Sequence, residues 1–474
     1  MQALSYYIQD RLSKAWFPLL VLLTAVVSIL THEWRCMLIP LGVLFVWLSI
    51  QYIPWIYFLL LIVIPFSTEM ELPGGFSTDF PDEPLMWWLF GLGMVYLVMN
   101  PEKIRSMIKH PLTLVLFFHW TWIFLVSLSS QDVMVSVKYW ASKSWYLFVF
   151  YFLAYIILKN EKRWMQFVWC SILSATVTVL IIEYRHALTG FSFSAINTLV
   201  NPFYRNHVNY ACLLACIFPY LWPAWKKFEQ KPIFRMGLGG IAVTLLAGII
   251  FSYTRAAYLA LFSILIIYPI LKFKLLRITA MITVVASIVV LIYFLSANRY
   301  LELAPDYNQA ISHTDFGSLL QATPKGKDIS TMERLYRWVA GTRMVGERYF
   351  VGFGPGNFHN FYDSYTLKQF ATYVSENKDR SGIHNYYLMT AVEQGIPGLL
   401  LFLVVLYFYF QTAQNVLTRI SLRLRPWAIA SIWSMGVILS ILLFNDMIET
   451  DKVGSYFFIN MAILVRLNRM TDQD

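Results

Sequence analysis

Ser330-Thr331-Met332-Glu333-Arg334-Leu335-Tyr336-Arg337-Trp338 lies within the only long polar passage of an otherwise apolar chain, a passage that runs from Asn298 to Tyr387. It continues through Gly352-Phe353-Gly354-Pro355-Gly356-Asn357-Phe358. It ends at Ser381-Gly382-Ile383-His384-Asn385-Tyr386-Tyr387, at the mouth of another apolar run. Apolar runs precede and follow it, so the passage reads as one large loop set into a membrane scaffold. Chemistry is expected where the loop meets the membrane.

The composition supports that reading. Of 474 residues, 58% are hydrophobic, 17% aromatic and only 14% charged, far less charge than a soluble domain of this length carries. Apolar runs long enough to span, or nearly so, fall at 16–31, 36–50, 53–66, 84–99, 111–128, 144–158, 164–184, 207–224, 237–252, 256–271, 277–295, 384–410, 427–444 and 453–467. The expected fold is an all-α polytopic membrane protein with about 12–14 transmembrane helices and one large, partly helical loop. Three regions follow: a helix bundle over 1–297, the loop with an amphipathic helix over 298–383, and C-terminal membrane helices over 384–474.

The net charge of +10 raises the question of nucleic acid, but the cations sit in short clusters between apolar runs, the pattern that sets membrane orientation. Lys103/Arg105/Lys109, Lys159/Lys162/Arg163, Lys226/Lys227/Lys231/Arg235, Lys272/Lys274/Arg277 and Arg419/Arg423/Arg425 fall in alternate loops. Counting from a cytoplasmic N-terminus, these loops and the C-terminus face the cytoplasm and the 298–383 loop faces the other side. Arg11 and Lys14 precede the first apolar run, and Thr31-His32-Glu33-Trp34 offers no small-residue cleavage site, so that helix is expected to remain as an anchor. The acidic stretch with Glu69, Glu71, Asp79, Asp82 and Glu83 reads as a solvated outer loop rather than a divalent-ion site. Cys36, Cys170, Cys212 and Cys216 all lie in or beside apolar runs, which implies neither a disulfide framework nor a thiolate metal site. No other ligand set for a metal and no cofactor motif is read.

Within the loop, Ser330-x-x-Glu333 reads as a capping box opening a helix. Met332, Leu335, Tyr336 and Val339 give that helix one apolar face, with Arg334, Arg337 and Arg348 off it. Arg337 and Arg348 then read as cations snorkelling at the membrane surface. Arg255, in Tyr253-Thr254-Arg255-Ala256-Ala257-Tyr258, and Arg205, in Tyr204-Arg205-Asn206-His207-Val208-Asn209-Tyr210, stand at the outer ends of apolar runs. Taken singly, each is an ordinary interfacial cation. Converging with Arg334, they would form a guanidinium clamp suited to a diphosphate. His384, at the N-terminus of a long apolar helix, would stay neutral there and be competent as a general base. Glu393 is nine residues on, half a turn away around the helix, which suits packing or tuning rather than orienting the ring. The glycine-rich turn lacks the strand before it and the Lys-Ser/Thr ending of a phosphate loop, so it reads as a tight connection.

These pieces occur in an order that resembles the O-antigen ligase and O-antigen polymerase superfamily of bacterial envelope glycosyltransferases. The matching residues are Arg205-Asn206-His207-Val208-Asn209-Tyr210, Thr254-Arg255-Ala256-Ala257-Tyr258-Leu259, Arg334 through Trp338, Gly352-x-Gly354-x-Gly356-Asn357-Phe358, His384-Asn385-x-x-Leu388 and Glu393-x-Gly395-x-x-Gly398. The resemblance spans about 200–470. It implies metal-independent, cofactor-free glycan transfer at the periplasmic face of the inner membrane, from an undecaprenyl-diphosphate-linked donor to a hydroxyl of lipid A-core. By position, the resemblance puts diphosphate binding on Arg255 and Arg334, with Arg205 and Arg337 as further candidates, and acceptor activation on His384. Asn385, Glu393, Asn206 and His207 would support them. A polymerase joining lipid-linked repeats and an enzyme glycosylating protein hydroxyls need the same machinery. A lipid-linked sugar transporter is the rival class, and nearly charge-free spans argue against it.

Overall fold

The structure, a computed structural model, describes residues 18–72, 76–304, 317, 328–372, 375 and 382–471. Arg11, Lys14, most of the polar passage between 305 and 327, and Ser381 lie outside the described residues. The chain divides into two compact units, Met1–Leu59 and Leu60–Asp474. The first holds α1 (Pro18–Thr31), α2 (Leu38–Gln51) and the beginning of α3 (Ile53–Val63).

The second unit continues from α3 into a hairpin of β1 (Thr68–Leu72) and β2 (Phe76–Phe80), antiparallel with Met70 opposite Thr78. Then come α4 (Asp82–Met99), α5 (Glu102–Ile108), α6 (Pro111–Leu128), α7 (Val133–Ile157), α8 (Glu161–Ala187), α9 (His207–Lys227) and α10 (Pro232–Phe251). α11 (Arg255–Lys272), α12 (Leu276–Leu295), α13 (Ile329–Glu347), α14 (Tyr386–Arg419), α15 (Arg425–Ile441) and α16 (Asp451–Thr471) complete it. Several helices open on a side-chain cap: Asp132 accepts from Val135 N, Asn160 from Arg163 N, Asn206 from Val208 N and Asn385 from Leu388 N. Such caps satisfy amide groups that lipid cannot.

Each expected apolar run falls on a helix, and the all-α polytopic class holds, with the one small hairpin added. Nine helices among the described residues are long and apolar enough to cross a membrane, and α1, α3 with its 3₁₀ extension, and α15 are shorter apolar helices. The helix at 451–471 differs in kind from a lipid-facing span. Nearly every α16 residue from Asp451 to Val465 is buried by protein, so its polar groups find partners there: Asn460 donates to Ser434 Oγ at 3.0 Å and accepts from Tyr220 Oη at 2.5 Å. α12 is the opposite case, with no buried side chain over Leu276–Phe294, as a lipid-facing helix requires.

Two expectations about charge are corrected. The spans are not nearly charge-free: Lys143 on α7 is 8% exposed and pairs with Glu449 at 2.7 Å, and Glu393 on α14 is 2% exposed. Neighbouring helices supply partners that lipid would not. Nor is the acidic stretch wholly solvated. Asp82 is 1% exposed and takes the Ser67 hydroxyl, while Lys452 donates to Ser67 O at 3.2 Å and pairs with Asp451 at 3.6 Å. That network fastens the base of the hairpin to the start of α16.

The glycine-rich turn after α13 docks on a break in α14. Phe353 N donates to Val392 O and Gly354 N to Glu393 O, both at 2.9 Å, and Ile396 N donates to Tyr349 O at 2.7 Å. Gly395 holds φ +73, and a Cβ there would lie 2.0 Å from Phe350 O, so only glycine allows the approach.

Candidate functional site

The cap of α13 lies two residues before the Ser330 expected to open the capping box. It is Asp328, whose Oδ1 accepts from Ser330 N at 3.2 Å and whose Oδ2 accepts from Thr331 Oγ1 at 2.6 Å. Asp328 is 1% exposed and also takes Arg255 Nη2 at 2.9 Å. Burial works against its charge, yet the Thr331 hydroxyl and the Arg255 guanidinium hold the carboxyl below its ordinary range. One carboxylate therefore caps the loop helix and ties it to the first residue of α11.

The capping-box glutamate does something else. Glu333 is buried, accepts from the hydroxyls of Thr372 and Ser375, and pairs with Arg337 at 3.3 Å. The buried face of α13 is Met332, Glu333, Tyr336, Arg337, Ala340, Gly341 and Met344, so Arg337 is on that face rather than off it. The expectation of a snorkelling Arg337 is overturned because an acid inside the loop packing matches it. Arg348 lies over the Phe353 ring at 5.4 Å, a cation–π contact within the turn.

Arg334 is placed differently from Arg337. Its Nη1 donates to Ser330 Oγ at 3.1 Å, and its Nε is buried without a hydrogen-bond partner among the described residues. Burial and the nearby Arg255, with a smaller effect of Arg337, lower its pKa to about 10 against the opposing pull of Asp328. Arg334 therefore stays charged at neutral pH but is poorly neutralised, which is the condition for attracting an anion. Arg255 adds a second guanidinium at the N-terminus of α11, where the helix dipole also favours negative charge.

His384 joins this group. Its backbone is left-handed, φ +56, a conformation that costs a non-glycine residue about 1–3 kcal/mol. Both flanks hold it: Trp338 Nε1 donates to Ile383 O at 3.1 Å, Asn385 caps α14, and Tyr386 N donates to Leu442 O at 2.9 Å. Ring Nδ1 is buried without a hydrogen-bond partner among the described residues. Burial, then Arg334 and Arg337, push the imidazole pKa down to about 3. The ring is neutral at physiological pH, as expected, chiefly through burial and the flanking arginines.

The fold thus brings Arg255, Arg334, Arg337 and His384 within reach of one another's charge, while Arg205 is exposed on the turn before α9. Asn206 caps α9, and His207 Nδ1 meets Asn197 Oδ1 at 3.0 Å. That turn touches the residue before Arg255 through its backbone, where His207 O accepts from Thr254 Oγ1 at 3.4 Å. Glu393 lies away from the imidazole, with Oε1 accepting from Phe358 N at 3.2 Å inside the docked turn. Asp328 and Asp446 escaped the sequence reading, and so did the pairing of Glu333, whose spacing reads as half of a capping box. Asp446, half-buried with its pKa raised by burial and Glu449 against Arg337, packs so closely on the segment before His384 that a Cβ on Gly382 would overlap its carboxylate. A lone aspartate before Ile329-Ser330 was a readable cap signal; the other two depend on contacts between distant segments.

The bridge by Asp328 has a measurable consequence. Asn is as good a cap as Asp, so Asp328→Asn should keep α13 while loosening Arg255 from it. Turnover is expected to fall by about 10–100-fold, the scale of a misplaced binding group, with the thermal midpoint within a few degrees of the parent. Unchanged turnover would show that Arg255 needs no tether.

Residues 240–403 match the family model described as O-antigen ligase. The match takes in Arg255, Arg334, Arg337, His384, Asn385 and Glu393 and leaves out Arg205, Asn206 and His207, so it is narrower than the 200–470 expected. No curated protein matches the chain. Through residues 240–403, the part that holds Arg255, Arg334, Arg337 and His384, the chain is similar to the O-antigen ligase family.

Proposed function

We propose that this protein is a glycosyltransferase that moves a glycan from undecaprenyl diphosphate to a hydroxyl of lipid A-core at the periplasmic face of the bacterial inner membrane. The observation that carries the reading is a neutral imidazole beside the Arg334 guanidinium, whose Nε has no hydrogen-bond partner among the described residues. Arg255 and Arg334 grip the diphosphate of the donor, and their fixed positive charge stabilises it as it departs. The acceptor oxygen bonds to the anomeric carbon, and the bond from that carbon to the diphosphate oxygen breaks. The hydroxyl proton passes to a ring nitrogen of His384, and undecaprenyl diphosphate leaves as the anion. Attack opposite the leaving group inverts the anomeric centre. The donor carries the energy of transfer, so neither nucleotide nor metal enters the scheme. The periplasmic assignment rests on the alternation of basic loops, which puts both termini in the cytoplasm.

The test uses purified full chain in nanodiscs with an undecaprenyl-diphosphate-linked glycan, no nucleotide, and either lipid A-core or a second lipid-linked repeat as acceptor. Product on lipid A-core is expected. A ladder of longer lipid-linked chains instead would make the protein a polymerase, and the absence of transfer to either acceptor would sink both forms of the reading.

A further inference from the structure

The far end of α14 carries a polar stretch that the transfer chemistry does not use. From Tyr386 to Gln411 the helix rises about 38 Å, so this stretch lies at the opposite end of α14 from the arginine cluster. Gln411 and Asn415, four residues apart on one face, line two clefts, one of 260 Å³ and one of 490 Å³. The smaller cleft is completed by Lys274, Leu276 and Arg277 at the α11–α12 turn, with Tyr407 and Gln414. No carboxylate is among the described residues lining either cleft, so the two cations of the smaller one have no acid in its wall.

Three further features narrow what would fill it. Gln414 Oε1 is buried without a hydrogen-bond partner among the described residues, an acceptor waiting for a donor. Lys274 holds φ +59, a left-handed backbone that lysine adopts at a cost. α12 begins at the cleft and presents Ile278, Met281 and Ile282 at 52%, 63% and 58% exposure, an apolar track running away from the cations. A volume of 260 Å³ falls short of the roughly 300–1,000 Å³ of a site for a larger ligand. It suits one compact headgroup and no glycan.

We infer that the cleft binds the headgroup of a hydroxyl-bearing anionic phospholipid of the phosphatidylglycerol type. The phosphate sits against Lys274 and Arg277, a glycerol hydroxyl donates to Gln414 Oε1, and the acyl chains lie along α12. A basic pocket between membrane helices is a recognised setting for acidic headgroups. The site is separate from the glycan-transfer chemistry and stands whether or not that reading holds.

The experiment delipidates the full chain in detergent and offers phosphatidylglycerol, phosphatidylcholine, phosphatidic acid or soluble glycerol 1-phosphate. Retained lipid is read by native mass spectrometry, and the thermal midpoint is followed in parallel. Phosphatidylglycerol should be retained at least about tenfold over phosphatidylcholine and raise the midpoint. Lys274→Ala/Arg277→Ala, both at exposed positions, should remove that preference by a similar factor. Gln414→Leu should keep the preference for anionic lipid but erase that for phosphatidylglycerol over phosphatidic acid. Equal retention of phosphatidylcholine, or full phosphatidylglycerol preference in the double variant, overturns the site. Stabilisation by glycerol 1-phosphate equal to that by the lipid overturns the lipid as its occupant.

Discussion

Glycan transfer is expected to fall by about 10²–10⁴-fold in the His384→Ala protein, the usual contribution of a positioned general base, with donor binding largely kept. The imidazole is neutral in the free protein and contributes no charge to the diphosphate clamp, so its loss belongs in turnover rather than in donor affinity. Alanine is strained at φ +56, and part of any loss would then be structural. Asparagine tolerates that backbone and cannot take the proton, so His384→Asn should reproduce the loss with a thermal midpoint near the parent's. Normal transfer by the asparagine variant would end the catalytic assignment. The pH dependence offers a second reading of the same group. With a pKa pushed down to about 3 by burial and by Arg334 and Arg337, the base stays unprotonated well below the ordinary value of 6.5. The acid limb of kcat/KM, which reports the free enzyme, should therefore lie far below neutral. A bound diphosphate offsets the two arginines and raises the imidazole pKa, so the acid limb of kcat should move to higher pH than that of kcat/KM. Coincident limbs near pH 6.5 would mean that neither burial nor the arginine field lowers the pKa of the ring.

What sequence could reveal here follows the range of the forces involved. The spans were legible because each is a local apolar run, and His384 and Arg255 were legible because each sits at the start of one. The partners were not. Glu333 has the spacing of a capping box, but the hydroxyl donors it uses lie 39 and 42 residues on, at Thr372 and Ser375. Asp328 captured the cap instead, since its side chain could satisfy Ser330 N and reach Arg255 at once. α16 shows the same limit in the membrane. Its polar residues look awkward in a span until Tyr220, Ser431 and Ser434 from other helices are set against Asn460. The convergence of Arg255 with Arg334 and His384 is likewise a property of helix packing, which no single stretch encodes.

The two arginines one turn apart on α13 should respond to substitution in opposite ways, and this separates a ligand from a structural ion. Arg337 is 6% exposed and paired with Glu333, also 6% exposed. Arg337→Met leaves that carboxylate buried and unmatched, at a cost of about 3–5 kcal/mol, and should lower the thermal midpoint by many degrees. Adding Glu333→Gln removes the orphaned charge, so the double variant should regain much of that stability, whereas two independent losses would add. Among the described residues Arg334 hydrogen-bonds to Ser330, so Arg334→Gln should leave the midpoint within a few degrees. Its effect belongs in turnover, with a loss of about 10²–10³-fold as for one donor removed from a charge-stabilising site. Arg334→Lys should recover only part of that loss, because an ammonium restores the charge but not the two-pronged geometry. Relieving Arg334 also lifts part of the field on His384, so Arg334→Gln should shift the acid limb of kcat/KM upward. The reverse outcome, a stable and inactive Arg337→Met beside a fully active Arg334→Gln, would reassign the diphosphate to Arg337. It would also require Glu333 to release that arginine whenever donor binds.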